Sequence, residues 1–287
     1  MKTIFVRSLS GLVYVLLIFL CTTNFLSDIV YVYFDHKINS YHLLYALLTL
    51  FLIGSSYETV KLLKYTNLIY KILTFILIGI VYYTFTQNFF NGSFSLKLLY
   101  WRYILVLVLF VLCILTLFYF SDELYTDSAK LIFAIAYLSL PFGLSLSIPR
   151  SNNPLTPEIF YIFLLLWISD SFAYLIGSKF GKKKLAPHIS PNKSVEGLIG
   201  GIVSTLIAGL IIEYYEPRLR GNWIVISIII AILAPIGDLA ESKLKRKFNV
   251  KDSGNLIPGH GGLLDRLDSF IFCIPAVFAY YLLSTIV

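Results

Sequence analysis

Hydrophobic positions in this 287-residue chain do not alternate with polar ones; they run on in blocks. Apolar stretches near 9–26, 41–60, 72–90, 98–120, 129–148, 159–176, 195–212, 223–240 and 267–286 each approach the ~20 residues that a helix needs to cross a hydrocarbon core. A helix on the surface of a soluble domain would show a one-sided apolar stripe with polar residues opposite. Here the polar residues gather between the blocks. The pattern predicts an all-α, polytopic integral membrane protein with about nine transmembrane helices.

Composition agrees. The chain is 58% hydrophobic and 14% charged, whereas soluble domains carry roughly a quarter of their residues as Asp, Glu, Lys or Arg. A disordered chain, a secreted disulfide scaffold and a cytosolic enzyme are excluded. Cys21, Cys113 and Cys273 sit singly in separate apolar runs, which fits buried small hydrophobes better than a metal or redox site. The net charge of +7 does not point to nucleic acid; in a membrane protein such charge meets anionic lipid at the cytoplasmic face. The basic start and following apolar run resemble a signal peptide. Bulky Ile18, Phe19 and Leu20 before Cys21 offer no cleavage site, so a retained first helix is expected.

Charge also predicts orientation. With the N-terminus cytoplasmic, the inner loops collect Lys61, Lys64, Lys71, Lys130, Lys179, the Lys182–Lys184 run and a further group from Lys243 to Arg266. The opposite side holds far fewer: Lys37, Lys97, Arg102, Arg150, Arg218 and Arg220. The C-terminus is then expected outside. Residues 1–150 have short loops and read as anchoring or assembly helices. Residues 151–287 contain two long, basic, Gly- and Pro-containing inner loops, 178–194 and 241–266, and should hold a polar site on the cytoplasmic side of the cell membrane.

Asp238, Glu241, Ser242 and Lys245 follow helical i, i+3, i+4, i+7 spacing and share one face. Asp265 and Asp268 share another, at the start of the last helix. Between them, Pro258-Gly259-His260-Gly261-Gly262 precedes a helix and could bring backbone N–H groups to a phosphate. So many carboxylates beside lipid need a cation. Next to a phosphate-reading loop they suggest Mg²⁺ held by oxygen ligands, with substrate phosphate completing the shell. Asp170 lies inside an apolar span and is a candidate by position, with a buried helix-orienting role as the equal alternative. Ser190, Lys193 and Ser194 precede a helix and could cradle a triphosphate, though Ser-Pro also starts turns. Glu58, near the inner end of the second span, reads as a helix-packing partner.

Ser242-x-Leu244-Lys245-Arg246, then Lys251-Asp252-x-Gly254, then Ile257-Pro258-x-His260-Gly261-Gly262-Leu263-x-Asp265-Arg266-Leu267-Asp268 resembles the signature of the phosphatidate cytidylyltransferase (CDP-diacylglycerol synthase) family. The Ser190-Pro191…Lys193-Ser194…Glu196-Gly197 block is similar to a second family stretch, with Asn192, Ser194 and Val195 where lysine, threonine and tryptophan are usual. Phe172 likewise stands where glycine is commoner.

The resemblance implies a Mg²⁺-dependent enzyme that joins CTP to phosphatidate, a membrane lipid, and releases pyrophosphate; it also implies a homodimer. On that reading Asp238 and Asp252 hold the metal. Lys245, Arg246, Lys251 and Arg266 neutralise phosphates. Ser190, Lys193, Ser194 and Ser242, with His260, Gly261 and Gly262, bind substrate. Asp265 and Asp268 either hold a second cation or orient Arg266 and Lys251. A CTP-using lipid kinase and a cation channel or transporter are the competing classes. The absence of inverted-repeat symmetry counts against the transporter.

Overall fold

In a computed structural model of the chain, the described residues are 2–36, 40–91, 100–119, 126–148, 157–259 and 261–284. The apolar blocks form helices, as expected: α1 (Lys2–Thr22), α2 (Phe25–Phe34), α3 (Ser40–Leu62), α4 (Leu68–Asn91), α5 (Tyr100–Tyr119), α6 (Asp127–Ala134), α7 (Leu140–Ser145), α8 (Pro157–Phe180), α9 (Val195–Tyr215), α10 (Trp223–Lys247) and α11 (Asp268–Ser284). A π-helical segment, Ile135–Ser139, joins α6 to α7 without a break.

Among the described residues, six helices are long and apolar enough to cross a membrane: Tyr41–Leu62, Leu68–Thr86, Asp127–Ser145, Glu158–Phe180, Val195–Tyr215 and Trp223–Lys247. Counting the bent pair α1–α2 as one span makes seven, against the expected nine. At the end of α1 the hydroxyls of Thr22 and Thr23 donate back to the carbonyls of Ile18 (2.7 Å) and Phe19 (2.6 Å). Just beyond them the chain turns by 71° into α2. At the other end the backbone tightens into a 3₁₀ turn, Leu264–Arg266, so α11 has 17 residues. Of α5, the stretch Tyr103–Phe118 is likewise a shorter apolar helix.

The fold is also not purely helical. Strands β1 (Lys184–Ala186) and β2 (Ser190–Ser194) pair antiparallel, Lys184 opposite Ser194 and Ala186 opposite Ser190, with an irregularity between. Two strands with no neighbour on either side tolerate Pro191. The hairpin ends where the Ser194 hydroxyl accepts the Gly197 N–H at 3.2 Å, an N-cap that starts α9.

Small residues bring the helices together. A Cβ on Gly197 would fall 2.6 Å from the Ala173 carbonyl, and one on Gly201 2.8 Å from the Ser169 carbonyl. Backbone approach of that kind substitutes for a hydrophobic driving force, which is absent between helices in lipid. It seats α9 against α8 and places Asp170 beside the hairpin. Gly237 does the same for α10 and α11: its Cβ would lie 2.8 Å from Phe272 Cβ and 3.0 Å from the Asp268 carbonyl. Aromatic stacking of Phe163 on Phe270, centroids 4.7 Å apart, ties α8 to α11. α10 thus packs against α9 near its start and α11 near Gly237.

Candidate active site

The site grows from the C-terminal turns of α10. Pro235 cannot donate to the carbonyl one turn back, and the polar face begins just after this interruption. The expected shared face is present. The Ser242 hydroxyl bonds the Asp238 carboxylate at 3.4 Å, and the Lys245 ammonium pairs with Glu241 at 2.5 Å. Glu241 and Lys245 are buried, with side-chain exposures of 0% and 10%, and so need each other.

Three connections join this face to distant sequence. Lys193 of β2 forms an ion pair with Asp238, half-exposed on both sides. Lys245 also donates to Asp265 at 2.6 Å. The Arg246 guanidinium reaches two backbone carbonyls, Ile189 through Nε at 3.3 Å and Val250 through Nη1 at 3.0 Å. The hairpin, the end of α10 and the loop before α11 are therefore one unit.

That loop is tightly bonded. Asp265 accepts the Ser253 N–H at 3.2 Å and the Gly262 N–H at 2.8 Å. Burial pushes its carboxyl up, but the Lys245 charge and these donors outweigh it, and the group stays below the ordinary carboxylate range. A bond from Ile257 N–H to the Gly261 carbonyl at 3.0 Å closes the turn. Gly259 and Gly261 take φ of 76° and 86°, a region costly for any side chain. Asp252 and Lys251 are exposed at the loop's start, Asp252 next to Gly261. His260 lies outside the described residues.

Asp170, Asp238 and Asp268 lie within electrostatic reach of one another, with Lys193, Lys245 and Arg266 around them. Asp268 is buried and accepts the Ser269 N–H at 2.6 Å, while Arg266 is exposed. Among the described residues, no three His, Cys, Asp or Glu side chains converge closely enough to hold a metal on their own. The donors are nonetheless hard oxygens, three carboxylates facing three cations. Such a set suits a hard divalent ion whose remaining ligands come from substrate phosphate. Asp252 sits on the loop beside Gly261, and Asp238 faces Lys193.

Ser190 lies half-buried at the start of β2. Ser194 is buried and its hydroxyl caps α9. Glu196 fixes the preceding turn by accepting the N–H groups of Lys182 (3.0 Å) and Lys183 (3.2 Å).

Sequence reasoning missed a contribution from the first half of the chain. Glu58 of α3 is fully buried, yet it is more than a helix-packing partner. It accepts the Leu264 N–H at 2.8 Å, the Ser253 hydroxyl at 3.2 Å and the Leu256 N–H at 3.4 Å. From α1, Ser10 donates to the Pro258 carbonyl at 2.9 Å and Tyr14 to that of Arg266 at 3.4 Å. A lone acid inside an apolar run was the available signal.

Known proteins fit this picture. Phosphatidate cytidylyltransferases of Staphylococcus aureus (strain COL) and Bacillus subtilis (strain 168) are 41% and 42% identical to this chain over 153 residues. Those matches cover 53% of this chain and 58% and 56% of the two relatives. The chain thus spans less than two thirds of the length of the curated relatives it matches. A profile of the Cytidylyltransferase family matches residues 7–284, nearly end to end. Together with the bonded signature loop, this match shows that the chain belongs to the Cytidylyltransferase family.

Proposed function

We propose that this chain is a phosphatidate cytidylyltransferase, condensing CTP with phosphatidate to CDP-diacylglycerol and pyrophosphate at the cytoplasmic surface of the cell membrane. The observation that carries the reading is the Lys193–Asp238 ion pair. It ties the block that resembles the family's second stretch to the helix turn immediately before Ser242, where the other block begins, and so brings a lysine of the hairpin to a carboxylate of α10.

A lipid phosphate is already at the membrane surface, so the site needs only to admit it sideways and to hold CTP above it. A phosphate oxygen of phosphatidate attacks the α-phosphorus of CTP. The bond to the bridging oxygen of the β-phosphate breaks, and pyrophosphate leaves. No protein nucleophile is required; the work is positioning and charge neutralisation. Lys193, Lys251 and Arg266 would meet phosphate oxygens, with Ser190 and Ser242 as neutral donors. Lys245 neutralises buried Glu241 and Asp265 and sets the field behind the site. Asp265 is engaged by Lys245, Ser253 and Gly262, which favours a role in holding the loop over either a second cation site or the orienting of Arg266 and Lys251. Mg²⁺, when bound, would withdraw charge from the phosphates, with Asp238 and Asp252 as its protein ligands.

The test is direct. Purified protein in detergent, given CTP, phosphatidate and Mg²⁺, should release pyrophosphate and form CDP-diacylglycerol. Release of CDP instead would make it a lipid kinase, and no turnover would reject the reading.

A further inference from the structure

Resting on the function proposed above, we infer that Glu58 is a positioning residue for the reaction. It clamps the loop between Ser253 and Leu264 from the first half of the chain, and so sets the place of Asp252 and Lys251 at the loop's start.

The geometry is two carboxylates working on one loop from opposite sides. Asp265 takes the backbone N–H of Ser253, while Glu58 takes the hydroxyl of the same serine. Asp265 also holds Gly262, and Glu58 holds Leu256 and Leu264. Ser253 is fixed at both its backbone and its side chain. Asp252 is its immediate neighbour, so its freedom is limited by the same bonds.

The bond strength follows from burial. Glu58 has 0% exposure, and among the described residues no lysine or arginine pairs with it. A buried carboxylate without a counter-ion depends on hydrogen-bond donors for its stabilisation. The loop supplies those donors. Loosening the loop would strand the charge, so carboxylate and loop hold each other.

Two signature glycines acquire a reason in this arrangement. A Cβ on Gly254 would collide with the Glu58 carboxylate, and one on Gly262 would lie 2.6 Å from Glu58 Oε2. Neither takes a left-handed φ. At Gly254 the close passage over Glu58 alone excludes a side chain; at Gly262 the Ser253 hydroxyl, which the added Cβ would strike, and Glu58 do so together.

Glu58→Gln tests the role, because it keeps the shape but removes the charge and one acceptor. The expected result is a fall in kcat of about tenfold or more, with KM for CTP changed less, since a loosened loop loses transition-state alignment. Amide exchange at Leu256 and Leu264 should accelerate, while the thermal midpoint of the remaining protein moves little. Ser253→Ala should lower kcat in the same way, and the double variant should fall no further than the worse single one. Unchanged kcat in folded Glu58→Gln protein overturns the inference, as does lost kcat with unchanged exchange. If Glu58→Gln does not fold, Gly254→Ala probes the same contact with the same readouts. Absence of pyrophosphate release by the unmodified protein would instead reject the proposed function, and the exchange measurements would then decide the clamp alone.

Discussion

Lys193 and Asp238 form an ion pair between the edge of a two-stranded sheet and the C-terminal part of α10. Both ends stay partly accessible, at 26% and 32%. An exposed pair of this kind adds little to stability. On the function proposed above its value is positional, placing an ammonium group where substrate phosphates would sit.

Lys193→Gln should therefore cost catalysis more than folding. We expect a loss of about 30-fold in kcat/KM, ~2 kcal/mol, the size of one charge-assisted contact. The thermal midpoint in detergent should shift by no more than a degree or two. A variant with normal turnover would show that the pair merely tethers the hairpin.

Asp252→Asn should abolish pyrophosphate release while the protein inserts and purifies normally. Asparagine keeps the shape and one oxygen but loses the charge that a hard cation requires. The side chain is exposed, so the fold should not depend on it. Near-normal turnover at saturating Mg²⁺ would remove Asp252 from the metal site.

The orientation can be read by chemistry. Lys183 and Asn249 are both exposed, on the two basic loops. A cysteine placed at either, in a background lacking Cys21, Cys113 and Cys273, should be shielded from an impermeant thiol reagent in intact cells. It should react once the membrane is opened. Labelling from outside would invert the topology and the site with it.

Some of this was legible in the sequence because some of it is local. The face shared by Asp238, Glu241, Ser242 and Lys245 follows from helical regularity alone, and the structure has it. The helical blocks follow from continuous hydrophobicity. What escaped is tertiary or irregular. The strands Lys184–Ala186 and Ser190–Ser194 are short and polar, and leave no period to read. The 71° bend between α1 and α2 falls inside a single apolar run. Glu58 meets Leu264 across most of the chain's length, and no spacing rule links them.

Gly201→Leu should damage the α8–α9 contact rather than the chemistry. Its side chain would have to enter where the Ser169 carbonyl lies 2.8 Å and Ala173 Cβ 3.2 Å from the new Cβ. Overpacking of this kind costs about 1–3 kcal/mol. The expected result is a lowered thermal midpoint in detergent, with little change in KM of the surviving protein. A midpoint equal to that of the unmodified chain would mean that the helices can separate freely.

Arg246 separates geometry from charge most sharply. The sequence alone suggested a fork gripping phosphate. The structure spends Nε on the Ile189 carbonyl and Nη1 on that of Val250. The planar group thus bridges the hairpin turn to the start of the signature loop, and a lysine ammonium, as a compact point charge, cannot keep that fork geometry. Arg246→Lys keeps the charge and loses the bridge, whereas Arg246→Gln loses both. If the bridge is what matters, both variants should lower kcat/KM by about 10- to 100-fold, roughly 1.4–3 kcal/mol. If charge alone matters, the lysine variant should turn over normally and only the glutamine variant should fail. Lys179→Gln, at an exposed position on the last turn of α8, should stay within about twofold of the unmodified enzyme and calibrate the effect of losing any basic charge. Kinetics in mixed micelles, with CTP and phosphatidate varied separately, distinguish these cases. Normal turnover by Arg246→Lys would leave Arg246 as a surface charge and the hairpin held by Lys193 without it.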